Sequence, residues 1–349
     1  MLQTAIVQVL NKPLPPFEER YRAAIADDSR DVALASVEEA RDALQPALAD
    51  VGYQVTKNRN LRETFLAWEH ERGYIPASEV AEQARAMNAE LLKAMRERVF
   101  SRLNFGASGY APYLSDVAFD GHYFNTISGV GFTGSSIYHG GDAKGKPKLK
   151  GLFEYNTDHP LTRVGLLHLC AHEVIGHYVN AAVKDVLWRS GKLGFLATAA
   201  QMCTPDTVFQ EGWAQNMFEI IYGSRDAAAE VFGKDLLVAL AHDDLQDIAK
   251  HNGAILHQRD GVPIDRVKEY FATECVMPVP LVKKLSGGWS QDPILGPMYG
   301  PAYLVGRTVV NDAIRRHGPI SVAEVGYHLK GQVDISTFQM KVEKMPVIH

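Results

Sequence analysis

No stretch of this sequence holds the run of about 18 apolar residues that a membrane-spanning helix requires, which excludes a transmembrane span. No secretory leader is expected: MLQTAIVQVLNKPLPP has no basic n-region, and its short apolar run ends in prolines. Cysteine is scarce. Cys170, Cys203 and Cys275 are odd in number and lack C-x-x-C spacing, which argues against a disulfide framework and predicts buried free thiols in a reducing cytoplasm. Charge of one sign is lacking too. With 36 basic against 41 acidic residues, the net charge of −5 provides no footprint for nucleic acid or an anionic membrane. No internal repeat, low-complexity stretch or linker interrupts the chain. What remains is the composition of a soluble globular protein, 46% apolar and 22% charged, with length enough for a sizeable core.

Residues 1–349 read as one unit in three parts. Over 1–100, DVALASVEEARDALQPALAD, NLRETFLAWEHERGY and SEVAEQARAMNAELLKAMRERVF show helical periodicity, the last with Ser78 as a candidate N-cap. Over 101–160, glycine and aromatic residues become dense, and HYFNTIS, SSIYHG and GLFEYNT read as short strands of a small antiparallel sheet. GVGFTG at 129–134 matches G-x-G-x-x-G, but neither a helix nor a βαβ unit follows it, so a glycine-rich hairpin is expected. KGKPKLK at 144–150 suits a solvated strand edge. Over 161–349 helices are expected near 161–188, 205–222, 226–251, 263–277, 299–317 and 333–345. The fold class is thus mainly α, with the sheet placed ahead of a central helix.

That helix carries LCAHEVIGHYVN, residues 169–180, close to the zinc signature H-E-x-x-H but with the second histidine one residue late. Residues five apart on a regular helix lie about 140° apart and cannot grip one ion. His172 and His177 can pair only if the helix absorbs an extra residue, for instance in a π-bulge, with Gly176 as the residue best able to take the distortion. The bland alternatives are hydrogen-bonded core histidines, or a pairing of His168 with His172 at regular i, i+4 spacing. Downstream, TPDTVFQEGWAQNMFE offers Thr204 or Asp206 as a cap and places Glu211 between Phe209 and Trp213. A carboxylate there needs a partner, and a third metal ligand would be one. Otherwise Glu211 is a half-exposed acid favoured by a helix N-terminus.

NTDHPLTRVGLLHLCAHEVIGHYVN followed by FQEGWAQ resembles the glutamate-type zincins, in particular the domain-of-unknown-function 885 family of peptidase-like proteins. ILHQRDGVPIDRVKEYF and YGPAYLVGRTVV resemble two later elements of that family, so the likeness spans roughly residues 154–317. The family has one more residue between its histidines, a proline among them; the H-E-x-x-G-H step here is similar to that of dipeptidyl peptidase III. The N-terminal part has no counterpart, so no substrate carries over.

The resemblance implies a zincin-like helical catalytic domain holding Zn2+ through His172, His177 and Glu211. Glu173 is then the general base toward a metal-activated water. Tyr303 corresponds to the family's tyrosine and is the expected oxyanion donor, unless it is simply a core residue. His257 is a candidate second donor. Asn156 and Arg307 are candidate substrate contacts, although an arginine at that place is commonly on the surface. Glu219 or Asp244 is expected to orient a ligand histidine. The expected function is zinc-dependent hydrolysis of an amide or peptide bond in a small molecule or short peptide. Two alternatives stand beside it: a metal-dependent enzyme acting on a non-peptide metabolite, which the 105–151 insert could cover, and a non-catalytic degenerate zincin. Retention of Glu173 speaks against the last. Neither nucleic acid nor membrane is an expected partner, and the oligomeric state is not legible.

Overall fold

The computed structural model describes residues 2–10, 12–27, 30–103, 124–140, 150–199, 202–329 and 332–345. Most of the 105–151 insert and the lysine-rich 144–149 stretch lie outside the described residues.

The architecture is mainly helical with a small mixed sheet. Strands β1 (Phe124–Ile127), β2 (Gly134–Tyr138) and β3 (Gly151–Asn156) assemble in the order β1-β3-β2. All three expected strands are present, but their pairing differs from the wholly antiparallel sheet expected. β1 runs parallel to β3, with Phe124 opposite Phe153, while β2 runs antiparallel to it, with Gly134 opposite Tyr155. GVGFTG is therefore no hairpin turn. It crosses from one edge of the sheet to the other, because β3 is the strand with apolar residues to bury: Phe153 and Tyr155 are 0% and 2% exposed. That leaves β2 as an edge strand.

Behind the sheet runs the central helix. It begins as α-helix Arg163–Cys170, capped by Thr162, whose hydroxyl accepts from Gly165 N at 3.2 Å. It turns π-helical over Ala171–Val179 and returns to α geometry over Asn180–Arg189. Helices Pro205–Gln215 and Leu295–His317 pack beside it in turn. Glycine makes this stack close. A Cβ on Gly176 would meet Ala214 Cβ at 2.5 Å, and Gly212 and Gly306 bring the other two helices into backbone contact. Gly176 has no left-handed backbone angle. Its absent side chain matters for helix approach rather than for chain distortion, the role expected from the sequence.

The N-terminal helices are built into the same core. Tyr21 and Ile25 of helix Phe17–Ile25, with Leu91 and Met95 of Ala77–Arg98, share one apolar cluster with the central helix. Helices Glu38–Asp50 and Leu61–Arg72 pack with Asp235–Ala254 in a second cluster. The last N-terminal helix starts directly after Pro76, so Ser78 lies inside it and is not its cap. Helices Val279–Lys284 and Pro319–Tyr327 were not expected. The first is short, and the second, PISVAEVGY, lies buried along one side only over Val322, Ala323, Gly326 and Tyr327.

Two histidines inside helix Asp235–Ala254 make stability depend on pH. His242 stacks on Phe65 at 3.9 Å and faces Val276 O; His251 faces Ala33 O at 3.0 Å. Burial holds each imidazole down at about 4. Because the unfolded chain takes up these protons near 6.5, their stabilisation is complete above that pH and declines as pH falls from 6.5 toward 4. Each histidine contributes on the order of 3 kcal/mol over that window. Chemical denaturation at pH 7.5 and pH 5 should show the fall, and His242→Gln should flatten it; an equal slope in that variant would refute the assignment.

Candidate metal centre

The π-helical turn answers the spacing of AHEVIGH. With the N–H of residue i+5 bonded to the carbonyl of residue i, residues five apart come round to one face of the helix. His172 Nε2 and His177 Nε2 accordingly stand 3.1 Å apart. Helix Pro205–Gln215 brings Glu211 Oε2 to 3.3 Å from His172 Nε2 and 3.6 Å from His177 Nε2. These residues form a group able to hold a metal ion. His168 lies outside it, with Nε2 3.9 Å from Asp243.

Glu211 is the seventh residue of an eleven-residue helix and is 5% exposed, so favour from a helix N-terminus does not explain it. Thr204 is the N-cap residue, while Asp206 Oδ1 accepts from Val333 N at 2.9 Å. Burial alone would raise the Glu211 carboxyl, yet the two imidazoles hold it well below the usual carboxylate range. In return Glu211 holds His177 above its ordinary value against the effect of burial. Glu211 Oε1 accepts from Tyr299 Oη at 2.8 Å, whereas Oε2 is buried without a hydrogen-bond partner.

Two imidazole nitrogens and one carboxylate oxygen are a zinc donor set. Tetrahedral ligands at about 2.0–2.1 Å from zinc stand roughly 3.3–3.4 Å from one another. The three separations of 3.1, 3.3 and 3.6 Å fit that triangle.

The tautomer of His172 is set from behind. Gln215 Nε2 donates to Asp243 Oδ2 and Asp247 Oδ2, both at 2.9 Å, which turns Gln215 Oε1 toward His172 Nδ1 at 3.2 Å. His172 must therefore donate from Nδ1 and keep its Nε2 lone pair facing Glu211 and His177. Gln215→Leu should weaken metal binding about 10- to 100-fold, as loss of such partners does. Competition against a chelating dye measures this, and unchanged affinity would show that the tautomer is set otherwise.

The acids expected in that supporting role lie elsewhere. Glu219 accepts from Arg225 Nε at 2.6 Å, and Asp244 pairs with Arg225 and Arg307. Arg307 is thereby engaged by Asp244, with Asp247 Oδ2 at 3.7 Å, and does not line the cavity over the centre. Asn156, fully buried, donates to Val130 O at 2.9 Å and Phe132 O at 2.8 Å. It shapes the wall by holding the crossing loop rather than meeting a substrate. His257 lies 3.0 Å from Val262 O, closing a turn away from the cavity. All three were expected at the site, and each is occupied by a structural bond that sequence spacing does not reveal.

Glu173 and Tyr303 do line the cavity, which encloses about 1350 Å³. Burial raises the Glu173 carboxyl above its ordinary range, although both imidazoles pull it down. Tyr303 stacks parallel to His172 at 6.2 Å, and Lys250 Nζ sits 3.5 Å from its ring centroid. Its hydroxyl has one long contact, 3.4 Å to Tyr299 Oη. Tyr299 and Gln215 are the members of the site that sequence reasoning missed. Each lies four residues from a named one on the same helix, Tyr299 before Tyr303 and Gln215 after Glu211, and that spacing was the available signal.

No family model matches the chain, and no curated protein matches it. Among solved structures the fold is similar to that of a putative lipoprotein from Colwellia psychrerythraea, with a TM-score of 0.62 at 14% identity. That alignment covers 98% of this chain and 54% of the other. A putative lipoprotein of unknown function from Shewanella oneidensis aligns with a TM-score of 0.56 at 14% identity, over 98% of this chain and 63% of its own. At that identity the likeness is one of fold alone, and the chain spans little more than half the length of these neighbours. No helix among the described residues is long and apolar enough to cross a membrane.

Proposed function

We propose that the protein is a zinc-dependent hydrolase of amide or peptide bonds. The observation that carries this reading is the triangle of His172 Nε2, His177 Nε2 and Glu211 Oε2 with the raised carboxyl of Glu173 beside it. A purely structural site has four closed ligands and no use for a neighbouring base. The motif resemblance to glutamate-type zincins supports the same conclusion.

His172, His177 and Glu211 would hold the zinc, which would supply a Lewis acid able to lower the pKa of a water toward about 7. Glu173 accepts the proton of the attacking water and hands it to the leaving amine, a task for which a carboxyl raised above its ordinary range by burial is suited. Tyr303 donates to the developing oxyanion, since its hydroxyl gives up only a long contact to do so. Tyr299 stays on Glu211 and fixes the direction of its other oxygen. Trp289, Tyr299 and Tyr303 together with β2 wall the cavity in which these groups stand.

A metal-dependent enzyme on a non-peptide metabolite would use the same residues, and a substrate panel separates the two. Three buried free thiols are in keeping with a reducing, cytoplasmic location. Elemental analysis of the purified protein is expected to return about one zinc per chain. Less than about 0.2 zinc, with no uptake on addition, would overturn the proposal, being far below one ion per site.

A further inference from the structure

Lys184 is a buried cation on the wall of this cavity that the hydrolytic machinery does not use. It stands seven residues beyond His177 on the central helix, so it lies on nearly the same face about 10 Å further along. Only 8% of the residue is exposed, and its side chain lines the cavity. Among the described residues it makes no hydrogen bond and no salt bridge. Burial draws the ammonium below its ordinary range, with Asp206 the acid that opposes this. Asp206 is itself occupied by Val333 N at 2.9 Å and faces Gln210 Nε2 at 3.4 and 3.5 Å. An ammonium so largely enclosed and without a direct partner is unfavourable, and an anion arriving in the cavity would supply that partner.

The remaining charges on the wall favour the same sign of ligand. Asp158, the other acid away from the centre, accepts from Gly129 N at 2.5 Å. Lys283 stands on the wall as well, whereas Lys284, whose ammonium burial draws down to about 7, donates to Thr133 Oγ1. Both acids thus already have a backbone N–H partner, while Lys283 adds positive potential.

We infer that Lys184 receives a carboxylate of the substrate, so that the site takes amides bearing a free carboxylate one or two residue lengths from the scissile carbonyl. A residue length is about 3.3–3.6 Å, and the lysine side chain spans the rest of the separation. N-acyl amino acids and short peptides with a free C terminus have this form. The assignment rests on the hydrolase reading for the word substrate, but anion binding at Lys184 does not depend on zinc.

The test compares hippurate with hippuramide, a carboxylate and its neutral amide of nearly the same shape, by calorimetry on the zinc-supplemented full-length protein. Hippurate is expected to bind at least tenfold more tightly. Lys184→Met should abolish that preference while leaving hippuramide affinity unchanged, and Lys184→Arg should retain it. Loss of an unpaired buried charge should also leave Lys184→Met no less stable thermally, so misfolding is not the expected reason for its failure to discriminate. Equal affinity for the two probes, preference surviving in Lys184→Met, or no hippurate binding at millimolar concentration would each overturn the inference. Zinc content measured on the same samples separates the two claims. Carboxylate preference through Lys184 in a protein that takes up no zinc upholds the anion site and removes the hydrolase; a zinc protein without preference does the reverse.

Discussion

Replacing Glu173 with glutamine is expected to leave about one zinc per chain and to lower hydrolysis by at least 10²- to 10⁴-fold, the range that a positioned general base contributes. The substitution preserves shape and removes only the ability to take up a proton. His172, His177 and Glu211 remain in place, and none of the three separations among their ligand atoms involves Glu173. Burial raises the Glu173 carboxyl while the imidazoles of His172 and His177 oppose that rise. A neutral amide therefore fits the pocket with no new unpaired charge, and the variant should fold normally. Metal analysis and turnover on the same preparation give the result. Full activity would remove Glu173 as the base, and loss of zinc together with activity would make it a ligand instead.

Gly306→Ala is expected to destabilise the protein by about 3 kcal/mol or more, at the upper end of core overpacking. That corresponds to roughly 5–10 °C in Tm for a chain of this size. A Cβ at Gly306 would strike Val208 O and lie 2.9 Å from Gly212 Cα. Both obstacles are backbone atoms of helix Pro205–Gln215, so no rotamer change relieves them, and the two helices must separate. Glu211 stands on one of those helices and Tyr299 on the other, joined by a 2.8 Å hydrogen bond. Separation should therefore also weaken metal binding. Gly194→Ala is the control, since a Cβ there meets nothing within 4 Å and φ is −73°. Similar melting temperatures for the two variants would show that the helix contact is not close.

The EGWAQ segment shows how much the sequence holds and in what form. Glu211 is a ligand candidate, Gly212 and Ala214 are the small residues that admit Gly306 and Gly176, Trp213 fills the core under Gly326, and Gln215 orients His172. Read along the chain, only Glu211 and the apolar flanks signalled chemistry. The two small residues carry meaning only once the helices that approach them are known.

Asn156, His257 and Arg307 illustrate the reverse. Each is a residue type that binds substrates, near a motif, and each is taken up by a backbone carbonyl or a carboxylate, His257 within its own turn and the other two from more distant parts of the fold. A polar residue's spacing records which face it shares, but not whether its hydrogen bonds are already satisfied. Sheet order escaped for a related reason. β1 and β2 are adjacent in sequence, yet both pair with β3, whose alternating buried residues make it the central strand.

The sequence by itself determined that the chain is mainly helical, because periodicity is local. It also determined that His172 and His177 can meet only if the helix between them departs from 3.6 residues per turn, because that constraint is one of helix geometry. The tertiary structure decided which polar residues meet at the candidate metal centre. Glu211, Tyr299 and Gln215 acquire their places there from contacts 34 to 88 residues apart, made possible by glycines that bring three helices within backbone contact.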